Sequence, residues 1–161
     1  MKIRLATKKD LPEIITIFES ARAFMRENGN QEQWNGIYPG EADILADIEE
    51  GTSYVCDDDG EVVATFFFKV GDDPTYKKIY TGKWQNDEPY AVIHRVAVKY
   101  HGKGIIDFCF ADCFKKYQNL KIDTHKDNIP MQKVLLRNGF KYCGIIHLLS
   151  GDERMAYQKA D

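Results

Sequence analysis

The chain has 161 residues, of which 43% are apolar, and this is the size of one domain with enough apolar side chains to form a core. Its net charge of −3 comes without the basic stripe of nucleic-acid-binding proteins, and no apolar run approaches the ~18–20 residues that span a membrane. No signal-peptide pattern opens the sequence, and its four cysteines lack zinc-site spacing, so we expect a cytoplasmic protein with reduced thiols, no bound metal, and neither nucleic acid nor membrane as a partner.

The predicted elements begin with a short strand at residues 3–6 and a helix that Thr7 is placed to cap. This helix carries an apolar stripe of Leu11, Ile14, Ile15, Ile17, Phe18 and Ala21. The remaining predicted helices cover residues 41–50, 105–116 and 129–138, and the remaining strands cover 54–56, 62–70, 90–98, 120–124, 145–149 and 154–158. The order βααβββαβαββ predicts an α+β fold, with a mixed, mostly antiparallel sheet flanked by helices. Without repeats or linkers, residues 1–161 form one predicted domain.

Residues 91–110 are the most informative stretch of the chain. A β-branched apolar run leads into a turn with Gly102 and Gly104, and a helix begins at Ile105. Glycines permit a tight turn and a close approach to the backbone, and the start of a helix presents free amide groups. This arrangement is typical of a site for phosphate oxygens, although an ordinary strand-to-helix connection would have the same pattern.

Two blocks of residues resemble the GNAT superfamily of N-acetyltransferases. The segment 101–106, after Val96-Ala97-Val98, resembles the family's acetyl-CoA signature [QR]-x-x-G-x-[GA], with departures at His101 and Ile106. The segment 122–140 resembles the next block, in which a strand ends near an asparagine, here Asn128, and a short helix closes on Gly-Phe, here Gly139-Phe140. Asn128 is also suited to cap that helix.

The resemblance implies an acetyl-CoA-dependent enzyme, active as a monomer or homodimer, that transfers an acetyl group to a primary amine of a small molecule by direct attack on the thioester. It assigns the acetyl-CoA contacts to Val96, Ala97, Val98, His101, Gly102, Lys103, Gly104, Ile105, Ile106 and Asn128. Three alternatives stay open: an acetyl-CoA-binding sensor with little turnover, an acetyltransferase for protein or peptide amines, and an unrelated phosphate-ligand domain.

His94 is the candidate catalytic base, because an amine must lose a proton before it attacks and a histidine suits proton relay near neutral pH. Strict strand alternation predicts Val92, His94, Val96 and Val98 on one face, with Ile93, Arg95 and Ala97 on the other. The alternative is a histidine that only packs beneath the loops. Many family members have a tyrosine that protonates the leaving thiolate, and the matching position here is Leu135, which has no proton to donate.

Candidate acceptor-binding residues are the large aromatic side chains in polar, loop-like segments. Trp34, Tyr38 and Trp84 fit this description. Aromatic rings can enclose an apolar amine or contact a cation face-on. Each of the three could instead anchor its loop to the core.

Overall fold

A seven-stranded sheet forms the centre of the computed structural model, which describes residues 1–161. The helices are α1 (Leu11–Glu27), α2 (Glu41–Glu50), α3 (Ile105–Lys116) and α4 (Ile129–Arg137). The strands are β1 (Lys2–Leu5), β2 (Ser53–Asp58), β3 (Glu61–Val70), β4 (Ala91–Val98), β5 (Asn119–Thr124), β6 (Lys141–His147) and β7 (Glu153–Ala160). The element order confirms the predicted βααβββαβαββ.

The strands lie in the order β1-β2-β3-β4-β5-β7-β6, and every neighbouring pair except β4 and β5 is antiparallel. The single parallel pair follows from the chain order, because α3 crosses over between β4 and β5. The α+β fold with a mixed, mostly antiparallel sheet is therefore confirmed. No helix has both the length and the apolar character needed to cross a membrane.

Helices cover both faces of the sheet. α1 and α2 pack over β2, β3 and β4 on one face, around a cluster that includes Ile14, Phe18 and Val55. α3 and α4 pack on the other face, where Phe110 and Phe140 lie in the largest core cluster with their ring centroids 5.4 Å apart. Burying one large apolar side chain such as phenylalanine stabilises the folded state by about 1.5–3 kcal/mol, so the packing on both faces of the sheet contributes to its stability.

The predicted alternation along β4 is wrong beyond His94. His94 pairs with Phe67 and Ala97 pairs with Thr65, so two residues of β4, Arg95 and Val96, lie opposite the single residue between them on β3. This is a β-bulge, and Arg95 adopts a left-handed backbone with φ of 52°.

The bulge reverses which side chains face each layer. Val96 and Val98 pack with Ile93 in the α3/α4 layer, whereas Ala97 packs in the α1/α2 layer. The His94 side chain lies on the side of the sheet opposite Val96, where it pairs with Phe67. His94 therefore lies on the opposite face from Val96 and Val98, contrary to strict alternation, whereas Ala97 faces away from those two valines.

The last hairpin also differs from its prediction. β6 begins at Lys141, four residues before the predicted start, and its register shifts between Tyr142 and Gly144. Gly144, with a φ of 147°, lies at this register shift. A glycine at a bulge weakens the alternating pattern of a β-strand, so the sequence did not indicate the first residues of β6.

Candidate active site

The site forms where β4 and β5 separate. These two strands pair only at Ala91 with Leu120 and Val92 with Lys121, so from Ile93 onward β4 has no partner strand on that side. The unpaired edge of β4 opens into a cavity of about 370 Å³ between α1, the start of α3 and α4. An extended ligand can pair with such a free strand edge as another strand would.

The cofactor cavity, as we call this first cavity, is lined by all ten residues to which the resemblance assigns acetyl-CoA. These are Val96, Ala97, Val98, His101, Gly102, Lys103, Gly104, Ile105, Ile106 and Asn128. The structure thus brings Asn128 of the second block to the segment 96–106, from which it is separated by more than twenty residues. One ligand in this cavity could therefore contact residues from both blocks, as the resemblance implies.

The glycine turn forms one end of the cofactor cavity. Gly102 and Gly104 both have left-handed backbones, with φ of 73° and 74°, and Gly104 directly precedes α3. No atom lies within 4 Å of where a Cβ would stand on either glycine, so the space over the turn is open. The free amides at the start of α3 and its positive dipole end face this turn, which suits phosphate oxygens.

His101 forms a wall of the cofactor cavity. Its ring stacks on Phe24 of α1, with the ring centroids 3.9 Å apart and the planes 15° apart. Burial lowers the pKa of His101, so the imidazole is neutral at physiological pH. We therefore expect His101 to shape the cavity rather than supply a charge to the phosphates.

Asn128 caps α4. Its Oδ1 accepts a hydrogen bond from the Met131 amide at 3.2 Å, which confirms the predicted cap. Its Nδ2 donates to Oε1 of Gln33 at 2.9 Å. Gln33 Oε1 also accepts from Asn30 Nδ2 and Thr124 Oγ1, so this one oxygen ties the loop after α1 to β5 and to α4.

A second cavity of about 540 Å³ lies next to the cofactor cavity, and we call it the acceptor cavity. Four residues line both cavities: Met25, Val96, Asn128 and Met131. The two cavities therefore meet beside the free edge of β4. Such a junction allows a molecule in one cavity to react with a molecule in the other.

His94 lies in the acceptor cavity between two aspartates. Its Nε2 is 2.9 Å from Oδ2 of Asp73, and its Nδ1 is 3.9 Å from Oδ2 of Asp123. Burial raises the pKa of Asp73, but hydrogen bonds from His94 and Thr75 outweigh it and lower this pKa to about 2. Asp73 is therefore ionised at physiological pH and orients the imidazole.

Asp123 is held by a buried phenol. The hydroxyl of Tyr76 donates to Oδ2 of Asp123 at 2.6 Å. Burial, and then the neighbouring Asp123, raises the pKa of Tyr76 well above its ordinary value, so this phenol stays protonated. The arrangement fixes the position of the Asp123 carboxylate facing His94.

The bulge at Arg95 shapes the other side of the acceptor cavity. The Arg95 guanidinium contacts both carboxylate oxygens of Asp47, at 2.9 and 2.8 Å, and donates to the hydroxyl of Tyr38 at 2.9 Å. This network connects β4 to α2 and to the loop before α2. It places the ring of Tyr38 at the acceptor cavity.

Two of the three predicted acceptor residues line the acceptor cavity. Trp34 is buried against Phe18, and Tyr38 is partly exposed; both line the cavity. Trp84 lines neither cavity. Its Nε1 donates to the Tyr76 carbonyl at 2.8 Å within the segment between β3 and β4, and Lys121 of β5 lies over its ring, so Trp84 packs this segment against β5.

Leu135 stands where many members of the family have the tyrosine that protonates the leaving thiolate. Leu135 of α4 is fully buried in the core and lines neither cavity. Three other tyrosines, Tyr38, Tyr90 and Tyr142, are candidate proton donors; Tyr90 uses its hydroxyl to accept from the Asp73 amide, and Tyr142 packs against Tyr157. Tyr38 is the one of these that lines the acceptor cavity.

All four cysteines are buried free thiols, and nowhere do three or more His, Cys, Asp or Glu side chains form a group that could hold a metal ion. Asp73, Gln33 and Arg154 are among the residues that line the site and were not predicted from the sequence. Asp73 alone gave a local signal, because an Asp-Pro-Thr run forms a turn in which Oδ1 accepts from the Thr75 amide. The long-range contacts of Gln33 and Arg154 have no counterpart in local sequence.

The structure is similar to the crystal structure of a GNAT-family acetyltransferase from Streptococcus agalactiae, with 32% sequence identity and a TM-score of 0.92. That match covers 99% of this chain and 95% of the other. Two more distant proteins share the fold. A GNAT-family acetyltransferase from Listeria monocytogenes has 18% identity and a TM-score of 0.71, with 98% of this chain and 93% of that chain covered.

The second is a ribosomal-protein-alanine N-acetyltransferase from Brucella melitensis, which has 18% identity and a TM-score of 0.65 with both chains fully covered. No protein-family model and no curated protein sequence matches the chain. The identity to the Streptococcus agalactiae enzyme, over nearly the whole length of both proteins, decides the family. The chain belongs to the GNAT family of acetyltransferases.

Proposed function

We propose that this acetyltransferase moves the acetyl group of acetyl-CoA to a primary amine of a small molecule, by direct attack of the amine on the thioester. The observation that carries the proposal is the junction of the two cavities beside β4. One cavity has the glycine turn and the start of α3, and the other contains His94 with its two aspartates. The shared wall at Val96 is where amine and thioester would meet.

The residues present fit acetyl-CoA. The open turn at Gly102 and Gly104 accommodates a pyrophosphate against backbone amides, and the unpaired edge of β4 accommodates the amide-containing pantetheine arm. When bound, acetyl-CoA supplies the activated acetyl thioester. Lys103, also in the cofactor cavity, adds a positive charge near the phosphates.

His94 is the proposed base. With its Nε2–H donated to Asp73, the imidazole keeps a lone pair on Nδ1, which faces Asp123 across 3.9 Å. An ammonium group, or a water that relays its proton, can lie beside these two atoms and hydrogen-bond to both. The two carboxylates attract the cationic amine, and His94 then removes the proton that blocks its attack.

The leaving thiolate needs no dedicated acid. An ordinary thiol has a pKa near about 8.5, so a thiolate leaves readily near neutral pH. Tyr38, which lines the acceptor cavity, and solvent are the available proton donors, because Leu135 has no proton to donate. Replacing Tyr38 by Phe should therefore slow turnover only a few-fold.

The test is an assay of thiol release from acetyl-CoA over a panel of amines, including amino acids, polyamines, arylalkylamines and short peptides. We expect thiol release that depends on the amine, with the acetylated amine detected by mass spectrometry. Thiol release that is equally fast without amine would indicate hydrolysis and contradict the proposal. Binding of acetyl-CoA without any release would favour the sensor, and transfer only to peptides would favour a protein acetyltransferase.

A further inference from the structure

Arg154 of β7 is a buried cation without a carboxylate partner. Its residue is 7% exposed, and it donates to two backbone carbonyls, those of Glu153 at 2.9 Å and Gln33 at 3.4 Å. By contrast, Arg4 and Arg95 each contact an aspartate carboxylate at 2.8 Å. Burying a charge without a partner of opposite charge is costly in free energy, so a buried, unpaired guanidinium indicates a functional role or a ligand.

The guanidinium lies at the acceptor cavity. Arg154 lines this cavity and also a neighbouring polar cavity that includes Glu32, Asp152 and Glu153. None of those three carboxylates forms an ion pair with it, and Glu153 instead faces His147 at 3.7 Å. The positive charge of Arg154 therefore remains available to a molecule in the acceptor cavity.

The sheet register places Arg154 near the proposed catalytic base. Asp123 of β5 pairs with Ala156 of β7, and Arg154 is two residues from Ala156, on the same face. Such diagonal neighbours are about 7–8 Å apart across an antiparallel pair. Asp123 faces His94 on this side of the sheet, so the acceptor cavity has carboxylates near one end and a guanidinium near the other.

A second observation indicates a positive field at this end of the cavity. Burial, and then the nearby Arg154, lowers the pKa of His125, which follows β5. The imidazole of His125 is therefore neutral at physiological pH and adds no second positive charge beside Arg154. Its Nδ1 is already used as an acceptor for the Asp127 amide at 3.0 Å.

The backbone contacts of Arg154 do not exhaust its donors. A guanidinium has five N–H groups in a planar fork, and the two carbonyls of Glu153 and Gln33 occupy one on each terminal nitrogen. The remaining donors match the two oxygens of a carboxylate, which arginine binds with both terminal nitrogens. A lysine or a neutral residue would not offer this match.

We propose that the acceptor amine also carries a carboxylate and that Arg154 binds it, so the substrate is a zwitterion of the amino-acid class. The ammonium end lies toward Asp73, Asp123 and His94, and the carboxylate lies at Arg154. This orientation presents the amine to the junction of the two cavities. The inference rests on the proposed function and specifies its substrate class.

The experiment compares α-, β- and γ-amino acids with their carboxamides and with the matching amines that lack the carboxylate. We expect the parent enzyme to show a kcat/KM about 10- to 100-fold higher for the best amino acid than for its carboxamide, which is the factor that a charged hydrogen-bonded pair contributes. Arg154→Gln removes the charge but keeps a donor for the Gln33 carbonyl. It should abolish this preference, mainly through KM, and Arg154→Lys should restore part of it.

The matched control is Arg22→Gln. Arg22 also donates to a backbone carbonyl, that of Pro39 at 3.3 Å, but lines neither cavity, so its loss should leave the preference intact. If Arg154→Gln does not fold, the ratio of amino acid to carboxamide in the parent enzyme still decides. Equal rates for the two would overturn the inference while the proposed function stands. Absence of transfer to every amine, with acetyl-CoA bound, would overturn both.

Discussion

The Nε2 atom of His94 lies 2.9 Å from Oδ2 of Asp73, although the two residues are 21 positions apart in the chain. β4 positions the histidine, and the segment between β3 and β4 folds back to bring the aspartate to it. The contact fixes which ring nitrogen is engaged by the protein and which faces the acceptor cavity. A carboxylate that orients an imidazole in this way is typical of a histidine that moves protons.

Replacement of His94 by Ala should lower turnover about 10²-fold while the affinity for acetyl-CoA changes only a few-fold, because the cofactor cavity does not include His94. Raising the pH should partly rescue the variant, since more of the amine is then already deprotonated. Steady-state rates with a good acceptor across pH 6–9 and calorimetric binding of acetyl-CoA measure both effects. His147→Ala is the control, and unchanged turnover in His94→Ala would reduce His94 to a packing residue.

Replacement of Asp73 by Asn should destabilise the protein in a pH-dependent way. The folded pKa of Asp73, about 2, lies below its ordinary value of 3.8, so ionised Asp73 stabilises the fold by about 2 kcal/mol at neutral pH. This stabilisation is complete well above pH 4 and is lost as the pH falls toward about 2.

Urea unfolding of parent and variant at pH 6, 4 and 3 measures the difference, which should shrink at the lowest pH. Asp72→Asn, at the exposed neighbouring position, should show no such trend. A difference between parent and Asp73→Asn that stays constant over this range would contradict the assignment of the shift to the His94 and Thr75 contacts.

Replacement of Gly104 by Val should weaken acetyl-CoA binding at least tenfold. A side chain there would occupy the open space over the turn, and the left-handed backbone, with φ of 74°, would strain by about 1–2 kcal/mol. Gly60→Val is the matched control, because Gly60 has a φ of 92° and equally open surroundings in the turn between β2 and β3. Gly60→Val should lose similar stability but keep its affinity. Full affinity in a folded Gly104→Val protein would refute the pyrophosphate site.

Replacement of Asn128 by Ala should remove both the α4 cap and the hydrogen bond to Gln33, at a cost of about 1–2 kcal/mol in unfolding free energy. Asn128→Asp keeps the capping oxygen and loses only the donor to Gln33. Because both polar atoms of the side chain are engaged within the protein, we expect acetyl-CoA affinity to change less than threefold in either variant. A tenfold loss in both variants would instead establish a direct contact of Asn128 with acetyl-CoA.

Much of the fold was predictable because residues close in the sequence mark where its helices and strands begin and end. The bounds of α2 and α3 agree with the prediction, and α3 begins directly after Gly104, whose left-handed backbone marks the end of the preceding turn. The residues that the resemblance assigns to acetyl-CoA lie in two blocks of the sequence, and the structure brings all ten of them to the cofactor cavity.

The acceptor side was not predictable in the same way. The bulge at Arg95 depends on pairing with β3, and nothing in the residues around Arg95 indicates a left-handed backbone there. Trp84 has the same local features as Trp34, yet only Trp34 reaches the acceptor cavity. Contacts such as that of Arg154 with Gln33 join residues 121 positions apart, and they arise only when the strands assemble.

The most direct test of the two-cavity account is a crystal structure of the protein with acetyl-CoA, or a stable analogue of it, and an unreactive amine analogue. We predict the pyrophosphate against the amides of residues 102–106, the acetyl group beside Val96, and the amine analogue within hydrogen-bonding reach of His94, directly or through one water. A pyrophosphate bound away from Gly102 and Gly104, or an amine analogue held away from His94, would contradict the account.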